Sequence, residues 1–156
     1  MILKMEELEK LHLKKQKEKK LEEIINRPRS REEINNMSPL VWAYIGDAVY
    51  ELFIRNNLIN NTLLKPHMLH IESIKYVKAE AQSKILKSIQ PKLTVEEQEI
   101  VRRGRNAQNH HLPKNASPED YMYSTAFEGL IGYLYLTKQD KRLKEILEMI
   151  EVSKKY

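Results

Sequence analysis

Two apolar runs constrain the fold more than any other feature of this chain. They are VWAYIGDAVYELF (41–53) and STAFEGLIGYLYL (124–136). Neither alternates with period two, so both read as helices rather than strands. Each carries a glycine next to an acid: Gly46 precedes Asp47, and Glu128 precedes Gly129. A glycine inside a helix costs about 1 kcal/mol relative to alanine, so its presence there needs a reason. Close approach of two helices is the simplest one. If these helices cross at their glycines, Asp47 and Glu128 face each other in a narrow, buried cleft.

The rest of the chain supports an all-α fold. Only 4 glycines and 6 prolines interrupt 156 residues, too few for a many-turned β architecture. Hydrophobic content of 41% and charged content of 31% suit a soluble domain with a real core. With no cysteine, disulfides and thiolate metal sites are excluded, which fits a reducing cytoplasm. The charged N-terminus does not read as a signal peptide, and no apolar run reaches membrane-spanning length. A formal net charge of +5 favours a polyanionic partner.

Helix signals punctuate the sequence. Residues 3–26 read as a helix whose middle, KLHLKKQKEKK (10–20), carries six lysines and a single acid, Glu18. That segment is not core. NRPRSREEINNM (26–37) reads as a linker. Ser38-Pro39 opens the next helix, with serine as cap and proline at the first helical position. It runs to about Leu58, with NNLINNT (56–62) as a turn. Residues 66–89 read as two helices with a break near 76–79. Thr94 and Glu97 form a capping box that opens a helix to about Gly104. The segment 106–116 is a polar loop, Ser117-Pro118 starts another helix, and a last amphipathic helix spans roughly 139–153. The division is a basic N-terminal helix and linker over 1–31 and a catalytic domain over 32–156.

Two carboxylates in one cleft repel, and desolvation adds to the cost of charging them. A divalent cation answers both. Mg²⁺ takes hard oxygen ligands, typically one or two carboxylates, and keeps several waters. A hydrated metal beside a basic surface is equipment for phosphodiester hydrolysis. Arg102, Arg103, Arg105 and Lys114 supply that surface, with Asn115, His110 and His111 nearby. The plainer alternative pairs each acid with an arginine, Arg103 or Arg105 among the candidates. Glu51 reads as solvent-facing or as a partner of a neighbouring group.

AYIGDAVYELF, RRGRNA, PKN and YSTAFEGLIGYLYL, in that order, resemble Mini-ribonuclease III, the small bacterial relatives of RNase III that lack a double-stranded-RNA-binding domain. The resemblance covers about residues 36–150. It implies an all-helical RNase III-type domain, a cytoplasmic homodimer, and Mg²⁺-dependent cleavage of double-stranded RNA, with Mn²⁺ as a substitute ion. It further implies maturation of a 23S ribosomal RNA precursor during ribosome biogenesis, with help from a large-subunit ribosomal protein. Asp47 and Glu128 match the family's two signature acids and would hold the metal. Arg102, Arg103, Arg105, Lys114 and Asn115 would contact RNA. Ala43 and Thr125 stand where full-size RNase III enzymes have further carboxylates, so the metal should be held by fewer acids and more waters. The rival reading is a non-catalytic, ribosome-associated RNA-binding protein of the same fold. The Lys-rich N-terminal helix lies outside the resemblance.

Overall fold

The structure, a computed structural model, describes residues 2–107 and 117–152. These form eight α-helices, one 3₁₀ turn and no strand among the described residues. The chain divides into two compact units, Met1–Ser30 and Arg31–Tyr156.

The first unit is helix α1 (Ile2–Ile25). Met5, Leu8, Leu11, Leu21 and Ile24 are all exposed on it. Its lysines are exposed as well.

The second unit begins with α2 (Arg31–Asn35), a helix inside the segment expected to be a linker. Its backbone is fixed by tertiary contacts that local sequence does not display. Ile34 is fully buried, and the Trp42 indole N–H donates to the Ile34 carbonyl at 2.9 Å. Helix α3 (Pro39–Asn61) starts at the Ser38 cap as expected. It then runs through NNLINN, where a turn was expected, because Leu58 is drawn into the core on the helical register of Ile54. Burial there outweighs the weak helix propensity of the asparagines.

Helices α4 (Pro66–Val77) and α5 (Ala79–Ile89) are separated at Lys78, within the expected break. After a 3₁₀ turn (Gln90–Lys92), α6 (Val95–Asn106) opens on the Thr94–Glu97 capping box. Helix α7 (Pro118–Leu136) follows the Ser117 cap, and α8 (Asp140–Glu148) ends short of the expected 153.

Helix α7 is the central element, packed against α3, α5, α6 and α8. From Ser124 to Leu136 nearly every residue is buried. Trp42 meets Tyr133 edge-on at 5.1 Å, and Tyr50 meets Phe127 at 4.9 Å. The α3–α7 crossing is closer than side chains would permit. A Cβ on Gly132 would fall 1.8 Å from the Trp42 carbonyl oxygen. Gly104 brings α6 onto α7 in the same manner, with Ala126 Cα 2.9 Å from where its Cβ would be. No described helix is long and apolar enough to cross a membrane.

Candidate active site

The glycine crossing sets the register of α3 against α7, and with it the positions of the two acids. Asp47 and Glu128 line one open cavity of about 720 Å³. Ala43 and Thr125 line the same cavity, so positions 43 and 47, one turn apart on α3, converge with 125 and 128 on α7. Both Ala43 and Thr125 are buried and neither brings a charge. The crossing thus gathers four positions, of which two carry carboxyl groups.

The cleft is more open than the apolar sequence around the acids led us to expect. Asp47 is exposed and Glu128 is half-buried. A helix this apolar presents its acid to solvent because α7 covers only one face of α3. The electrostatics still disfavour two negative charges. Burial, and then the charge of Asp47, push the Glu128 carboxyl up to about 7, against a hydrogen bond from Gln82 that favours its charged form. The Asp47 carboxyl is also raised, by burial first and then by Glu51. No arginine neutralises either acid among the described residues, so the ion-pair alternative does not hold. Glu51 instead bonds Arg55 at 2.7 Å, one turn along α3.

The donor set fits a hydrated Mg²⁺. Among the described residues, two hard carboxylates converge without a counter-cation in a cavity with room for waters and phosphate oxygens. Among the described residues, no cluster of three or more acids, histidines or cysteines is available to hold a metal.

The basic residues are distributed differently from the acids. None of Arg102, Arg103 and Arg105 lines the cavity. Arg102 is engaged by Glu99 at 2.8 Å. The Arg103 guanidinium stacks 4.6 Å from the Trp42 ring and donates to the Asn35 carbonyl at 3.0 Å. Arg105 is half-buried and makes no hydrogen bond or ion pair among the described residues. Lys114, Asn115, His110 and His111 lie outside the described residues.

One residue at the site went unread in the sequence. Gln82 on α5 is fully buried, donates to the Val77 carbonyl at 2.9 Å, and favours the charged form of Glu128. Its signal was an amide on the core stripe that Leu86 and Ile89 continue.

Comparison with known proteins agrees with the all-helical fold. Residues 40–139 match the Ribonuclease III domain. The chain is 48% identical over 112 residues to the Mini-ribonuclease 3 of Symbiobacterium thermophilum, covering 72% of this chain and 86% of that protein. It is 47% identical over 120 residues to that of a Thermoanaerobacter species, covering 77% and 84%. The crystal structure of protein FN1578 from Fusobacterium nucleatum superposes with a TM-score of 0.68 at 31% identity, covering 75% of this chain and 93% of that one. A ribonuclease III helical domain, matched over most of its length by curated relatives, places this chain in the Mini-ribonuclease 3 family.

Proposed function

We propose that this RNase III-type endoribonuclease cleaves double-stranded RNA with Mg²⁺, held by Asp47 and Glu128. The observation that carries the reading is their convergence in one cavity with no cation to neutralise them among the described residues. Mg²⁺, when bound, supplies a Lewis acid for the phosphate and lowers the pKa of a bound water. The chain's own part is to fix the carboxylates across the glycine crossing. Asp47, more exposed, faces substrate. Glu128 binds a proton near neutrality without the ion and gives it up to accommodate the cation. Ala43 and Thr125 add no charge, so more of the ion's coordination is left to water and phosphate.

The domain reads duplex RNA by shape and backbone, as A-form helices generally are read. Arg105 is the arginine of its cluster free to meet a phosphate, with Lys114 and Asn115 beyond it in sequence. A homodimer presents two sites to two strands. The surface that supports it is on α3, where Val41, Tyr44 and Leu52 are exposed. The resemblance of the sequence motifs to Mini-ribonuclease III supports a cytoplasmic role in trimming a 23S ribosomal RNA precursor, with a large-subunit ribosomal protein as helper.

The test is cleavage of a long RNA duplex and its separated strands, in Mg²⁺, Mn²⁺ or EDTA, followed by a 23S precursor end. Cutting of duplex only, lost in EDTA, supports the reading. Metal-independent cutting, or binding without cutting, overturns it.

A further inference from the structure

A hydroxyl on a helix commonly donates back to a carbonyl of its own helix, three or four residues earlier. Thr62, Ser73, Ser88, Ser124 and Thr137 all do so. Thr125 does not, although that rotamer is open to a helical threonine. Its neighbour Ser124 spends its proton on the Tyr121 carbonyl at 2.8 Å. The Thr125 side chain makes no hydrogen bond among the described residues. It is buried, at 7% exposure, yet its oxygen is not sealed into the packing as Gln82 Oε1 and Ser83 Oγ are. It keeps contact with the cavity that Thr125 lines together with Asp47 and Glu128. Positions 125 and 128 are three apart on α7 and share a face, so hydroxyl and carboxyl open on the same space. Valine would fill this place without burying an unpartnered polar group. The hydroxyl is therefore unexplained by packing or by the helix.

We propose that Thr125 is a positioning residue of the acid pair's site: its hydroxyl oxygen accepts a hydrogen bond from a water of the ion held by Asp47 and Glu128. A water on a divalent cation is acidified and so is a strong donor, with two hydrogens to place. A hydroxyl takes one of them without bringing a third negative charge into the cleft. It keeps its own proton to donate in turn. A site with two carboxylates leaves much of the ion's shell to water, and this residue gives that water a fixed partner on the protein. Loss of such outer partners typically weakens metal affinity about 10–100-fold. The inference rests on the acid pair holding the metal, and the test separates the two.

Mn²⁺ binding to RNA-free protein, followed by electron paramagnetic resonance, is compared for the unaltered chain, Thr125→Val, Thr125→Ser and Glu128→Gln. Thr125→Val keeps the shape and removes the hydroxyl; Thr125→Ser keeps the hydroxyl and removes the methyl. We expect Thr125→Val to weaken Mn²⁺ binding about tenfold and to raise the Mg²⁺ needed for half-maximal cleavage. Thr125→Ser should bind Mn²⁺ as the unaltered chain does. Unaltered affinity in Thr125→Val, or an equal loss in Thr125→Ser, overturns the role of Thr125 while a weakened Glu128→Gln leaves the metal assignment standing. An unchanged affinity in Glu128→Gln overturns the metal assignment and this inference with it. Should Thr125→Val not fold, Thr125→Ser and Thr125→Ala, which differ by the oxygen alone, decide. The serine variant should bind Mn²⁺ the more tightly, and equal affinities overturn the proposal.

Discussion

Gly46 lies against the backbone carbonyl of Glu128, with no room between them for a methyl group: a Cβ on Gly46 would fall 1.8 Å from that oxygen. The two residues that fix the helix crossing are thus one neighbour of a metal-binding candidate and the other candidate itself. Packing and chemistry share the same turn of each helix.

Gly46→Ala should be severely destabilising. The atom it meets is backbone, so α3 and α7 must separate. We expect a loss of about 2 kcal/mol or more, overpacking outweighing the gain of about 1 kcal/mol in helix propensity. Gly129→Ala should behave oppositely, since its Cβ would sit 3.7 Å from the Pro39 carbonyl oxygen, an ordinary contact. Urea unfolding of the two variants tests the contrast; similar midpoints would mean the crossing is not glycine-limited.

Metal-free stability should fall as pH rises through the range set by Glu128. Its carboxyl titrates near 7 in the folded chain instead of near 4.5. Between those values the folded state keeps a proton that the unfolded chain has released. Stability attributable to this group is therefore full below about pH 4.5 and lost by about pH 7, to the extent of about 3 kcal/mol. Glu128→Gln should lack this slope, matching wild type near pH 4.5 and exceeding it at pH 8 in EDTA. Parallel stability curves for the two proteins would show that Glu128 charges freely in the fold.

Much of the fold was legible because its signals are local. The Ser-Pro starts at 38–39 and 117–118, the Thr94–Glu97 capping box and the break at Lys78 each depend on neighbouring residues. Helix α2 was not legible, since Ile34 is buried by Trp42 and its neighbours rather than by any pattern in NRPRSREEINNM. The acids stood out as charges in apolar helices, but their exposure did not, because it depends on which face α7 covers. Arg103 read as a cation for acid or phosphate; its place on Trp42 and Asn35 is a tertiary arrangement. Gln82 resembled any polar residue of an amphipathic helix until its burial was known.

The α3 surface should carry the dimer. Val41 and Leu52 are 46% and 63% exposed on α3. Val41→Lys with Leu52→Lys should give a folded monomer by light scattering where the unaltered chain is a dimer. A monomeric unaltered chain at micromolar concentration would remove this surface from consideration.

The lysines of α1 should add sequence-independent affinity for RNA. Every phosphate they neutralise should contribute roughly 0.7–0.9 to the slope of log affinity against log salt. Deleting residues 1–30 should therefore flatten that slope. A filter-binding salt series with duplex RNA, without metal, measures it. An unchanged slope would show that the lysines only solvate the helix.

The most direct measurement is cleavage of one long RNA duplex in Mg²⁺ by the unaltered chain, Asp47→Asn and Glu128→Gln, each first shown to be folded by circular dichroism. The expected result is robust cutting by the first and a loss of at least about a hundredfold, near 2.7 kcal/mol of barrier, in each variant. Near-normal cutting by either folded variant would contradict the assignment of the acid pair as the metal-holding centre.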